Sequence, residues 1–389
     1  MRVLAVALAP PTFFAGGNKS WMRLVPHLRE QGVIVDLLYQ DDDHRIIIER
    51  QEGERILIGG PMGMRRGSYI GTIVTVVKAI WLNRRRYGWA IFIGAPDALF
   101  AALGVKPFIG VKISYRMTML DEDDPLAIRN TGRMGWLRAR LLRRIDAAIG
   151  INPAMEISSR RVGIAQHRVF TILQGTDTKL FAPGTLAVKN AVREREGVPL
   201  TAKVVMYCGA IIERKGVDLL MRAWPEVVAK HPSAILLLVG PHGHDFDDPE
   251  KAFLQAMMQV SLQPEYRQSV KFLGYREDVQ GLLAASDVFV LPSRREGTPN
   301  VLLEAMASGL PIVVSDLTGV SGVFVRDGSE AFVVPQGNWE QLGVRLRRLL
   351  EDKELAREFG KRARDRAVQH YALGSVASQY AQVFRGCQK

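Results

Sequence analysis

Cysteine is almost absent: Cys208 and Cys387 are the only two in 389 residues. Two thiols that far apart build neither a disulfide framework nor a cysteine metal cluster, and such a chain suits a reducing cytoplasm. Long apolar runs are missing too. The stretch 73–82 is interrupted by Lys78 and falls short of the roughly 20 residues that span a bilayer. The opening MRVLAVALAPPTFF lacks a small-residue cleavage site and runs straight into a Gly-Gly pair, so it reads as a first strand rather than a secretion signal. No GxGxxG follows that strand, which argues against a nicotinamide-dependent dehydrogenase. No solenoid-length repeat or low-complexity tract occurs, and no recognisable nucleic-acid module, so no nucleic-acid partner is expected.

What the chain does have is length and alternation. Two domains of about 200 residues each are expected from 389 residues with 47% hydrophobic and 24% charged side chains. Apolar runs at 3–8, 33–38, 91–94, 111–115 and 147–151, and again at 204–208, 234–239, 270–273, 288–291, 312–314 and 331–334, alternate with helix-like segments. Continuous apolar strands between helices mean parallel sheets covered on both faces. The fold class is therefore α/β, with two Rossmann-like, doubly wound domains in tandem. The Gly- and Pro-bearing stretch 174–184 separates them, giving domains at 1–174 and 184–371. The end of the chain, 373–384, reads as another helix. Of the net charge of +12, ten units lie in residues 1–186. Arg84, Arg85 and Arg86 follow Trp81, and Arg138, Arg140, Arg143 and Arg144 follow Trp136, a pattern that suits peripheral association with an anionic membrane as well as plain solvated helix faces.

The segment SRREGTPNVLLEAMASGLPIVVSD, residues 293–316, carries the most chemistry. It reads as strand, polar loop and helix, with Glu296 in the loop and Glu304 on the helix. Ligands of open α/β sheets bind beyond the carboxyl ends of the strands, so both carboxylates can face one ligand. The N–H groups at the helix start, around Thr298, Pro299 and Asn300, favour an anion there. An anion beside two carboxylates fits a nucleotide sugar, whose hydroxyls need acceptors and whose diphosphate needs donors and cations.

Two other turns point the same way. Arg214 and Lys215 sit at the start of a helix after the strand that ends near Gly209, where cations oppose the helix dipole unless an anion binds. Gly16 and Gly17 precede a predicted helix at 21–30, allowing close backbone approach to a ligand, with Lys19 adding charge. The acidic runs Asp41–Asp43 and Asp121–Asp124 and the His242, His244 and Asp245 group lack partner ligands at diagnostic spacing and read as solvated loops, so no obligatory metal is expected.

With these motifs in order, the chain resembles the retaining glycosyltransferases of family 4. REGTPNVLLEAMASGLPIVVSD is similar to that family's donor-site signature, and IDAAIGINPA at 145–154, QGTDTKLFAP at 174–183, ERKGVDLL at 213–220, LLLVGPHG at 236–243 and VKFLGYRED at 270–278 support it. The resemblance implies a B-type fold, two Rossmann-like domains facing each other across a cleft, with the last helix (372–389) crossing back onto the first domain. It implies donor binding by Gly16, Gly17, Gly209, Tyr275, Arg276, Thr298, Pro299, Asn300 and Glu304. Glu304 would take the ribose hydroxyls, and Tyr275 and Arg276 would lie near the base. Catalysis would fall to Glu296 on the donor sugar and to Lys215 and Arg214 on the departing diphosphate. Lys19, Arg116 and Thr118 are candidates on the acceptor side. The co-substrate would be a UDP- or GDP-sugar and the acceptor a glycan or lipid-linked intermediate of surface polysaccharide assembly. Two positions depart from the family: Ala210 stands where an arginine is common, and the segment Ser114 to Thr118 lacks a frequent histidine. A B-fold nucleotide-sugar epimerase, or a non-catalytic membrane- or polyanion-binding homologue, are the alternatives.

Overall fold

The computed structural model describes residues 1–7, 16–41, 45–50, 53–59, 69–94, 96–241 and 248–386. The chain divides into two compact units, Met1–Gly175 with Leu373–Lys389, and Thr176–Ala372.

In the first unit the strands are β1 (Arg2–Val6), β2 (Ile34–Gln40), β3 (Ile46–Glu49), β4 (Arg55–Gly59), β5 (Trp89–Ile93), β6 (Lys112–Arg116), β7 (Ala147–Gly150) and β8 (Val169–Thr171). They form one sheet in the order β4-β3-β2-β1-β5-β6-β7-β8. All pairings are parallel except β2 with β3 and β3 with β4. The expected all-parallel sheet is thus corrected to a mixed one with an antiparallel edge hairpin. The helices are α1 (Gly16–Glu30), α2 (Tyr69–Leu82), α3 (Pro96–Gly104), α4 (Lys106–Ile109), α5 (Pro125–Asn130), α6 (Gly135–Leu142) and α7 (Pro153–Arg161). Side chains alternate along each strand. Tyr115 therefore joins the core under α2, α3 and α5 to α7, whereas Ile91 and Ile149 join the core under α1 and the chain's last helix.

The second unit carries β9 (Lys203–Cys208), β10 (Ala234–Val239), β11 (Val270–Gly274), β12 (Val288–Leu291), β13 (Ile312–Ser315) and β14 (Ala331–Val334), all parallel, in the order β11-β10-β9-β12-β13-β14. Its helices are α8 (Leu186–Arg195), α9 (Val217–Lys230), α10 (Asp248–Ser261), α11 (Val279–Ala285), α12 (Asn300–Ala307), α13 (Trp339–Glu351) and α14 (Lys353–His370). From β9 the chain winds outward through β10 and β11, then returns to start β12 on the other side of β9. The carboxyl ends of β9 and β12 therefore flank the point where strand order reverses, the place where such sheets bind ligands. The last helix, α15 (Leu373–Arg385), belongs to the first unit. There Tyr380 meets Trp21 edge-on at 5.5 Å and the Trp89 indole N–H donates to the Phe384 carbonyl at 2.7 Å.

Candidate functional site

After β9 the chain makes a 3-10 turn, Glu213–Lys215, passes through Gly216 in the left-handed region (φ 70°) and enters α9. After β12 it makes the loop 292–299 and enters α12. Because β9 and β12 are neighbours, these two loops meet. The Lys215 ammonium reaches Glu296 Oε1 and Oε2 at 2.7 and 2.8 Å, and the Ser293 hydroxyl donates to Oε1 at 2.6 Å. Arg214 Nη1 lies 3.8 Å from Glu296 Oε2 and donates to the Arg295 carbonyl at 2.8 Å. Arg294 closes the seam, donating to both Asp218 oxygens at 2.7 and 2.6 Å and to the Glu213 carbonyl at 2.6 Å. The three residues expected to be catalytic therefore stand together. Their supports, Ser293, Arg294 and Asp218, were not anticipated, since they depend on which strands are neighbours.

The contact is close because Gly216 permits it: a Cβ there would lie 2.0 Å from the Pro292 carbonyl oxygen. Gly209 and Gly240 repeat the device, a Cβ on Gly240 falling 1.9 Å from the Gly209 carbonyl oxygen. Beside them the Tyr207 hydroxyl donates to the Ala210 carbonyl at 2.7 Å. Burial, reinforced by the Glu296 charge, holds that phenol well above its ordinary pKa, so it remains a donor at neutral pH.

Helix α12 begins after Pro299 with no side-chain cap, and the Leu302 N–H donates to the Pro299 carbonyl at 3.0 Å. Thr298 Oγ1 is buried without a partner among the described residues. Glu304, on the same helix, is 6% exposed.

Past β11, Tyr275 is exposed, whereas Arg276 is committed. Its guanidinium holds Glu196 through two bonds, 2.9 and 2.6 Å, and Asp278 through one at 3.1 Å. Burial works to raise the Glu196 and Asp278 carboxyls, but the guanidiniums of Arg276 and Arg195 outweigh it and hold both below their usual range. Arg276 thus fixes the loop that presents Tyr275.

In the first unit, Gly16 and Gly17 are the opening residues of α1, which starts earlier than the predicted helix at 21–30. The Lys19 side chain lies outside the described residues, as do Asp42, Asp43, His242, His244, Asp245 and Cys387. Arg116, expected on the acceptor side, is instead 2% exposed. Alternation on β6 turns it under α1 and α15, where it donates to Tyr380 Oη at 2.9 Å, Ser20 Oγ at 3.3 Å and Gln174 Oε1 at 2.5 Å. These bonds tie β6 to α1, α15 and Gln174. The Thr118 hydroxyl is likewise engaged, donating to Asp123 at 2.6 Å. In the run 121–124, Asp121 and Glu122 are exposed as a solvated loop predicts, but Asp123 and Asp124 are engaged. Asp123 is pushed up by burial despite the bonds from Thr118 and Met119, and Asp124 caps α5. Among the described residues no group of three or more His, Cys, Asp or Glu is arranged to hold a metal ion.

Residues 188–366 match the family described as "Glycosyl transferases group 1". The N-acetyl-alpha-D-glucosaminyl L-malate synthase of Bacillus anthracis is 28% identical over 295 residues, 74% of this chain and 72% of its own. The lipopolysaccharide core biosynthesis glycosyltransferase LpsE of Rhizobium meliloti is 32% identical over 200 residues, 51% of this chain and 55% of its own. The malate synthase apart, the chain spans about half the length of the curated relatives it matches first. Among solved structures, Anabaena Alr3699/HepE in complex with UDP is similar over 99% of this chain and all of its own, with a TM-score of 0.77 at 18% identity. The fold is thus that of glycosyltransferases built from two Rossmann-like domains.

Proposed function

We propose that the chain is a retaining glycosyltransferase, moving a sugar from a nucleoside-diphosphate sugar to a glycan or lipid-linked acceptor in surface polysaccharide assembly. The observation that carries this reading is the meeting of Lys215, Arg214 and Glu296 at the carboxyl ends of β9 and β12, beside the uncapped start of α12. The diphosphate takes the place of Glu296 as the anion facing Lys215 and Arg214, beside the start of α12, where the helix dipole favours negative charge. Glu296, released, accepts hydrogen bonds from the donor sugar. Glu304 takes the ribose and Tyr275 stacks by the base. Charge leaving with the diphosphate is met by cations already in position, so no metal is required of the mechanism. The uracil nucleotide in HepE favours a uridine donor, and the GDP-mannose dependence in a relative's name keeps guanosine open.

The direct test is a thermal-shift screen of the protein against UDP, GDP and ADP and their sugars. A ligand at a hundred times its dissociation constant adds about 2.7 kcal/mol to stability, a readily measured rise in melting temperature. We expect one nucleotide series to raise it and Lys215→Ala to abolish the rise; no shift with any of them sinks the reading.

The acceptor class favours work at an anionic membrane surface. Helix α2 has no acidic residue and turns Ile70 (72% exposed), Val74, Trp81 and Leu82 outward, with Lys78 exposed among them. No helix among the described residues is long and apolar enough to cross a membrane. Sedimentation with phosphatidylglycerol vesicles is expected to drop at least tenfold in Ile70→Glu/Val74→Glu. Undiminished binding removes α2 from this role.

A further inference from the structure

We propose that the first unit carries a second anion-binding site, separate from the Lys215–Glu296 loops, that takes a phosphate-bearing group. A cavity of about 390 Å³ is lined by Arg129, Trp136, Ala139, Arg140, Arg143 and Val162. Its volume lies in the range of small-molecule pockets. Three guanidiniums line it and no carboxylate does.

These arginines come from three places: the end of α5, the body of α6 and the turn after α6. All three are exposed, yet they converge on one hollow from separate places rather than forming one run along a helix. Neighbours in the same sequence cluster are used up. Arg138 pairs with Asp97 at 2.9 Å, and Arg144 donates to the Leu103 and Gly104 carbonyls at 3.3 and 3.4 Å. The side chains of Arg129 and Arg140 make no hydrogen bond or ion pair among the described residues. Three like charges around one hollow repel one another, and a phosphate, which accepts paired N–H bonds from guanidinium forks, is the chemistry that relieves them.

The walls are built rather than incidental. A Cβ on Gly135 would lie 2.1 Å from the Arg129 carbonyl oxygen, so only glycine lets α6 start against the end of α5 and bring Trp136 beside Arg129. On the opposite wall Arg143 Nε donates to the Val162 carbonyl at 2.9 Å, and a Cβ on Gly163 would fall 2.9 Å from that nitrogen. This guanidinium is therefore held before any ligand arrives. Trp136, 61% exposed, forms an apolar lip. Arg143 precedes β7 and Val162 precedes β8, so the cavity opens toward the amino ends of these strands, away from the carboxyl ends that flank the start of α1.

The phosphate can belong to a lipid headgroup or to a free phosphate ester, and two probes distinguish them. Trp136 emission is followed by difference against Trp136→Phe, using vesicles of equal parts phosphatidylglycerol and phosphatidylcholine, and separately soluble glycerol 3-phosphate. We expect at least one probe to change the signal, with binding weakened about tenfold or more in Arg129→Ala/Arg140→Ala. A response to vesicles alone identifies a lipid headgroup, and a response to glycerol 3-phosphate identifies a free ester. Neither probe changing Trp136 emission, or the double variant binding as the unmodified protein does at equal melting temperature, overturns the proposal. Because the readout is not glycosyl transfer, it stands or falls independently of the donor reading.

Discussion

Lys215→Ala is expected to lower turnover by about a hundredfold or more. Removing one preorganised donor from a developing negative charge typically raises a barrier by about 2.7–4 kcal/mol, and Lys215 is the cation best placed for the leaving diphosphate. The structure adds a complication. The Glu296 side chain is 5% exposed and bonds Lys215 through both oxygens, so the variant strands a carboxylate with only the Ser293 hydroxyl and Arg214 at 3.8 Å. Breaking a fully buried pair costs about 3–5 kcal/mol. Lys215 is 18% exposed, so water and Arg214 soften that loss. The double variant Lys215→Met/Glu296→Gln separates the two effects, since it removes both charges. Its melting temperature should recover most of what Lys215→Ala loses, while turnover stays low. Turnover at the unmodified level in a folded Lys215→Ala protein would take Lys215 out of the chemistry.

Gly216→Ala carries the second large effect, and it acts through the backbone. With φ at 70° an added side chain costs about 1–2 kcal/mol on conformation alone. Its Cβ would also stand 2.0 Å from the Pro292 carbonyl oxygen and 2.8 Å from the carbonyl carbon, an overlap worth a further ~1–3 kcal/mol. Relief requires the turn 213–216 to move off the loop 292–296, which draws Lys215 away from Glu296. Melting temperature and turnover should therefore fall together. Gly337→Ala is the control, because Gly337 shares a positive φ (80°) but would place its Cβ in open space. If both variants melt and turn over alike, the close approach at Gly216 does not govern the site.

Much of the architecture is local enough to read from residues. The apolar runs at 234–239, 288–291 and 331–334 have the same bounds as β10, β12 and β14, because a strand covered on both faces must be apolar throughout. The hairpin of β3 and β4 escaped notice: its apolar cores, 46–48 and 56–58, are short, lie next to charged residues and have no helix-like segment between them, so they fall outside the strand–helix alternation. Helix α1 begins at Gly16 although glycine is among the poorest helix formers, so propensity alone placed the start too late. At the site, Glu296 and Lys215 were legible since each sits in a recognisable local segment. The Arg294–Asp218 clamp was not, because 76 residues separate its partners and only the β9–β12 pairing brings them together. The burial of Asp124 and Arg116 was missed for a shared reason. Charged residues near loops are usually wet, and only tertiary contacts reveal that these two are 2% exposed, the one capping a helix and the other binding Tyr380.

Helix α15 imposes an order on synthesis. The sheet face that carries Ala5, Ile91 and Ile149 is covered partly by Val376, Ala377, Tyr380 and Phe384, which leave the ribosome only after the whole of Thr176–Ala372. The earliest-made half of the protein thus waits, one greasy flank uncovered, while the later half has every strand it needs. Nascent chains stalled before residue 373 should accordingly hold a finished second unit and an unfinished first, the reverse of the sequence in which the two were translated.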